Sequence, residues 1–350
     1  MVKIVLTGIG LVTPIGIGKE QFWNAVENGC SGIRKLTKFP FPHEISCGEI
    51  RELSLDNYIN DRRFRRAAYI SQYTLVASSL AMSDAGRKLS GGNDTAFVKG
   101  ITHGALNYTQ AFHGALIKEG VDSISPILFS DSTLNAPASN ASICFGINGP
   151  VHTLVGGADT AIKSIMLACQ LLADRTVDRS LVVSAEELNE LSLSCYTRKN
   201  ITPLSEGSGA ILIENEETVK GASPYCYIAG SASECNPSNP DMVLGTVIST
   251  CLENASLKIR DIDFIMSDYH LPAKAFLNNI PAGSIIPLAG NAFAVTVLWH
   301  IILSALVIKS GTIPRGVIKN KAMVSNQIKN VMIWTAGKEG SASAIILSKF

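Results

Sequence analysis

No C-x-x-C pair, no low-complexity tract and no marked excess of either charge occur in these 350 residues, and each absence closes a class of function. The formal net charge is +1, so no global field draws the chain to nucleic acid or to an anionic membrane, and charge-guided docking must use a local patch. Eight cysteines (Cys30, Cys47, Cys144, Cys169, Cys195, Cys226, Cys235, Cys251) and six histidines are scattered without metal-ligand spacing. Most of the cysteines are therefore expected as small core residues in a reducing cytoplasm, and a zinc site is not expected. The opening Met1–Gly10 runs straight into the strand-like Lys3-Ile4-Val5-Leu6-Thr7, without a basic region, apolar core and cleavage site in series. No secretory leader is expected. One stretch, Ala292–Ile308, could be mistaken for a membrane span, but its length of about 17 residues is at the lower limit. His300 interrupts it and Lys309 and Arg315 follow, so it reads as a buried core helix.

What is present is 46% hydrophobic and 17% charged, the composition of a compact protein with large buried surfaces, a subunit interface among them. The length suits two tightly joined units or one large fold. Apolar, β-branched runs at Ile4–Leu6, Ser180–Val183, Ala210–Ile213, Tyr227–Ala229, Phe264–Met266, Val331–Trp334 and Ala344–Leu347 read as buried strands. Between them, Lys19–Asn28, Ala67–Gly86, Asn107–Lys118, Thr160–Ala173, Met242–Ala255 and Ala292–Gly311 read as helices, several apolar nearly all round, as helices sandwiched between sheets are. The alternation predicts an α/β protein of two packed halves, 1–218 and 219–350, with the polar segment Glu214–Pro224 at the boundary. No residue-level repeat relates the halves.

The string Val5-Leu6-Thr7-Gly8-Ile9-Gly10-Leu11-Val12-Thr13-Pro14-Ile15-Gly16, with Phe22-Trp23 and Gly29-Cys30-Ser31-Gly32-Ile33 after it, resembles the first strand, loop and helix of β-ketoacyl synthases. The likeness continues through Ala81–Gly86, Ile124-Ser125-Pro126, Asn135–Pro150 and Ser304–Pro314, and so covers nearly the whole chain. It implies the thiolase fold, a five-layered αβαβα arrangement of two similar halves, normally dimeric. In active members a cysteine stands eight residues after the Gly-Pro proline, at a helix tip whose dipole and amides favour thiolate and oxyanion. Carried over, that position is Ala158, and Asp178, Ser180–Val183 and Glu186-Glu187 keep the family spacing downstream.

Alanine offers no nucleophile, nor is it the glutamine of several decarboxylating ketosynthases and many chain-length factors. The family's first histidine falls on Asp268, with His270 two residues beyond. The second falls on Asn291, and the lysine five residues earlier on Ile286. A carboxylate at the first of these sites repels a developing enolate. The glycine-rich C-terminal gate aligns with Gly337-Lys338-Glu339-Gly340-Ser341. His270 is either a polar loop residue or a shifted catalytic group.

The resemblance thus implies a chain-length-factor-like subunit of a type II polyketide or aryl polyene synthase, bound to an active ketosynthase. Val151, His152, Thr153, Leu154 and Val155, with Asn135–Ile147, are the expected interface. Tyr108, Thr109, Phe112 and, more weakly, Phe129 are the expected tunnel wall, although the same spacing describes any packed helix face. Arg62, Arg63, Arg65 and Arg66 lie where ketosynthases bind an acidic acyl carrier protein; a solvated basic turn is the plainer account. No cofactor of its own is expected, because substrates come on the phosphopantetheinyl arm of the carrier protein. Two enzymatic readings stay open: a stand-alone acyltransferase using Cys144 or Cys169, and a malonyl-carrier-protein decarboxylase.

Overall fold

The structure, a computed structural model, describes residues 3–87, 94–123, 125–201, 203–219, 221, 223–268, 280–318, 320, 327–337 and 339–350. His270 and Lys338 lie outside the described residues. The strands are β1 (Ile4–Thr13), β2 (Gly16–Ile17), β3 (Ile33–Lys35), β4 (Ser46–Gly48), β5 (Thr95–Ile101), β6 (Val151–Val155), β7 (Arg179–Glu186), β8 (Gly207–Asn215), β9 (Cys226–Cys235), β10 (Phe264–Ser267), β11 (Ala282–Gly283), β12 (Asn330–Ala336) and β13 (Ser341–Ser348). The helices are α1 (Lys19–Glu27), α2 (Tyr69–Asp84), α3 (Leu106–Glu119), α4 (Pro126–Ser132), α5 (Ala136–Phe145), α6 (Thr160–Ala173), α7 (Glu190–Arg198), α8 (Pro240–Asn254), α9 (Ile286–Ala289) and α10 (Ala294–Ser310).

The main sheet runs β11-β10-β12-β13-β9-β1-β8-β7-β5-β6. Its two arms have one plan. In the first, β6, β5 and β7 are parallel, followed by antiparallel β8 and β1; in the second, β11, β10 and β12 are parallel, followed by antiparallel β13 and β9. The arms join through a short antiparallel contact, Val5 with Tyr227 and Leu6 with Cys226. Helices α6 and α10 lie between the arms and share one core with the inner faces of both. Helices α2 and α5 cover the outer face of the first arm, and α8 the outer face of the second. That is the five-layered αβαβα order expected from the sequence.

Local chemistry explains the opening motif. A Cβ on Gly8 or Gly10 would strike the Ala81 or Ala77 carbonyl of α2, so glycine at both lets helix and strand meet backbone to backbone. Asp84, at the end of α2, accepts from Ile9 N (2.9 Å) and the Tyr225 hydroxyl (2.9 Å) and pairs with Lys19. Helix α10 is almost wholly buried, and no helix among the described residues is long and apolar enough to cross a membrane. His300 is tolerated there because its Nε2 accepts the Ile285 N–H at 3.0 Å. The apolar runs did not reveal β5. Its buried residues include Lys99, which interrupts the pattern by which a core strand is recognised.

Candidate functional site

Strand β6 is an edge of the sheet, paired only with β5, and Val151, His152 and Val155 are exposed on it. Seven of the eleven large hydrophobic side chains exposed among the described residues lie between positions 117 and 155: Ile117, Val121, Phe129, Leu134, Ile143, Val151 and Val155. An apolar band concentrated beside an open strand edge marks an association surface.

From β6 the chain turns through Gly156-Gly157-Ala158-Asp159 into α6. Gly156 N donates to Ile101 O (3.1 Å) and Thr160 N to Gly157 O (3.1 Å), so the turn is held by the end of β5 and by the helix start. Ala158 sits half-buried at this turn, packed on the central core. An open cleft of about 330 Å³ lies beside this turn, lined by Leu154–Gly157, Asp159, Thr160 and Lys163 together with Glu339 and Ser341, while Ala158 itself is not among the lining residues. Asp159 is 4% exposed and pairs with Lys163 at 2.5 Å. No thiol or imidazole lines this cleft among the described residues.

The other positions to which the resemblance assigned catalytic groups have their own partners. Asp268 Oδ2 accepts from the Thr335 hydroxyl at 2.8 Å. Asn291 Oδ1 accepts from Phe293 N at 2.9 Å, and its backbone bonds to Pro203 and Ser205. Ile286 is half-buried in the single turn α9. Tyr108 donates to Arg66 O at 2.5 Å, Thr109 to Ala105 O (3.0 Å) and Ser132 O (3.2 Å), and Phe112 meets Phe129 with ring centroids 5.6 Å apart. None of the residues of α3 is buried, so Phe112 and Phe129 stand on the apolar band. In the basic turn, Arg63 pairs with Asp61 and Arg65 with Asp56, both at 2.6 Å, while Arg62 and Arg66 are exposed.

A second constellation was not anticipated. Glu186, nearly fully buried, accepts from Thr102 N (2.5 Å) and from His103 Nδ1 (3.2 Å); His103 Nε2 meets the Tyr196 hydroxyl at 2.8 Å. Phe293, held at φ 52°, completes an aromatic trio with ring centroids 4.7 to 5.3 Å apart. Burial, and then the charge of Glu186, push the Tyr196 phenol up, with a further contribution from Glu339. The phenol thus stays protonated beside His103 in the physiological range. Behind Glu186, Lys99 is fully buried, its ammonium has no hydrogen-bond partner among the described residues, and burial pushes it down to about 7 against the opposing pull of Glu186.

Burial pushes the Cys144 thiol up to about 11 and that of Cys169 up to about 12. Thiols so raised are poor nucleophiles at neutral pH. Cys30, Cys195 and Cys235, by contrast, are exposed rather than core residues. Brief alkylation of the native chain at pH 8 should therefore label the last three and leave Cys144 and Cys169 at least about tenfold less modified by peptide mass spectrometry. Rapid labelling of Cys169 would reinstate it as a substitute nucleophile.

Comparison with known proteins agrees with this geometry. The family described as Beta-ketoacyl synthase, N-terminal domain, matches residues 1–203. The chain is 26% identical over 258 residues to 3-oxoacyl-(acyl-carrier-protein) synthase 2 of Vibrio harveyi, spanning 65% of this chain and 62% of that protein. It is 26% identical over 309 residues to a polyketide beta-ketoacyl synthase 1 of Streptomyces halstedii, spanning 75% and 72%. Among solved structures it is similar to the ishigamide ketosynthase/chain length factor, with a TM-score of 0.88 at 18% identity over 100% of this chain and 99% of that one. A type II PKS acyl-carrier protein in complex with its ketosynthase superimposes with a TM-score of 0.83 at 20% identity, covering 100% of both chains.

Proposed function

The chain belongs to the β-ketoacyl synthase family, and from that footing we propose that it is a non-catalytic chain-length factor, which pairs with an active ketosynthase and shapes the tunnel for a growing acyl or polyene chain. The observation that carries this reading is Ala158: the strand, turn and helix that present a nucleophile are kept, and the side chain there has no reactive atom. Asp268 and Asn291, already bonded to Thr335 and Phe293, supply no imidazole for the carbonyl, which also weighs against decarboxylation. A scaffold without chemistry retains value by binding, and the open edge of β6 with its apolar band is a surface of the required kind. A permanent interface of this type buries about 2,000 Å² or more.

On this reading Phe112 and Phe129, with Thr109 behind them, face the chain that the partner elongates. Substrates arrive on the phosphopantetheinyl arm of an acyl carrier protein in the cytoplasm, and exposed Arg62 and Arg66 are the arginines of the basic turn left free for its acidic surface. Co-expression with an intact ketosynthase should yield one co-purifying assembly. Phe112→Ala should lengthen the products and Thr109→Phe shorten them, by one or more extension units in mass spectra. Chains that purify apart, with product length indifferent to both substitutions, would sink the proposal.

A further inference from the structure

The hairpin between β12 and β13 turns a charged side chain back over the cleft. Glu339 Oε1 accepts from the Ser341 hydroxyl at 2.8 Å. A Cβ on Gly337 would meet that carboxylate, so a larger residue there would make the Glu339 side chain swing aside. The carboxylate lies by the turn before α6: a Cβ on Gly157 would stand 3.3 Å from Glu339 Oε1 and 3.4 Å from Asp159 Oδ1. Two carboxylates therefore flank the residue next to Ala158. Of the pair, Asp159 is neutralised by Lys163. Glu339, exposed to solvent, lines the cleft together with Asp159 and Thr160 at the start of the 14-residue helix α6, whose aligned peptide dipoles place about half a positive charge at that end.

We propose that Glu339 is a resident anion that occupies the anion-favouring end of α6, so that the cleft stabilises neither a thiolate nor an acyl oxyanion even when a thiol stands at position 158. The lock rests on the non-catalytic reading of the cleft and adds a second barrier beyond the missing sulfur. Among the described residues, the charged and titratable groups around it are Asp159 and Lys163 from α6 and Tyr196 from α7, the last linked to His103 and Glu186. Adding a negative charge beside a thiol favours its protonated form, whereas an unobstructed helix start favours the thiolate.

The test installs the missing thiol and asks what it senses. Ala158→Cys is made alone and together with Glu339→Gln or Glu339→Ala, and iodoacetamide alkylation is followed against pH on the peptide containing position 158, because Cys30, Cys195 and Cys235 also react. With Glu339 present, the new thiol should titrate at or above the ordinary value of about 8.5. With either substitution at 339 it should fall by about one unit, giving roughly tenfold more thiolate at neutral pH. A low value in Ala158→Cys alone, or equal values in all three proteins, overturns the proposal. A shift with only one of the two replacements points to packing and overturns it as well. Thermal melts of all variants establish that the labelled chains are folded. The labelling uses the isolated chain, so failure of the ketosynthase pairing and failure of this lock are read separately.

Discussion

If the chain pairs with an active ketosynthase as proposed, replacing Val155 by aspartate is expected to separate the two while leaving the chain folded. Val155 is 55% exposed at the end of an edge strand, in register with Ile101 of β5, so the free chain can hydrate a carboxylate there. In the proposed assembly the same side chain would be covered, and an unpaired charge buried in an interface costs about 3–5 kcal/mol. That corresponds to at least about a 100-fold loss of affinity. Size-exclusion chromatography or interferometry of the mixed chains reads this directly. Met242→Asp is the control, since Met242 is 65% exposed on α8, over the other arm of the sheet. Equal binding by Val155→Asp and the parent would place the partner elsewhere or remove it.

Lys99→Met is expected to stabilise the protein, and by an amount that grows as the pH falls. A fully buried ammonium without a hydrogen-bond partner among the described residues is a net cost, and replacing buried charge with an apolar residue of similar volume often gains about 1–4 kcal/mol. The folded-state value is depressed from 10.5 to about 7, so the unfolded chain holds more protons between those limits. Stability contributed by the neutral amine is present above 10.5, declines as the pH drops, and is gone below about 7. The gap between variant and parent should therefore be wider at pH 6 than at pH 9 in urea or thermal unfolding. Glu187 has the opposite sign. Burial raises it from 4.5 to about 7, so its contribution is present below 4.5 and lost as the pH rises through 7. Only the difference between Lys99→Met and the parent isolates the lysine. A variant less stable than the parent at pH 6 would mean that Lys99 is held by Glu186 as an ion pair and is not a strained charge.

Helix α6 was legible residue for residue, because an apolar face at helical spacing needs no distant partner to be recognised. Ala158 was singled out only through the likeness to β-ketoacyl synthases, whose spacing from the Gly-Pro proline points to it. The string Gly337–Ser341 was visible, but not the direction of Glu339, which accepts a hydrogen bond from the Ser341 hydroxyl. His103 and Tyr196 were not legible at all. They are 93 positions apart, each is an ordinary polar residue in its own segment, and only Glu186, 83 positions from His103, brings the imidazole to the phenol.

The sequence by itself determined most of the helices and buried strands, because these follow from residue type and short-range period, while the expectation of a missing nucleophile came from its likeness to β-ketoacyl synthases. It carried no visible repeat, yet the two arms of the sheet have the same order and the same pattern of parallel and antiparallel pairs. Backbone hydrogen bonding is indifferent to side-chain identity, so two halves can share a topology after their residues have diverged. Only the tertiary structure decided that β6 is an open edge with an apolar band beside it, and that Glu339 lines one cleft with Gly157 and Asp159. Both are set by packing between elements far apart in the chain, where position in space, and no local pattern, assigns each side chain its neighbours.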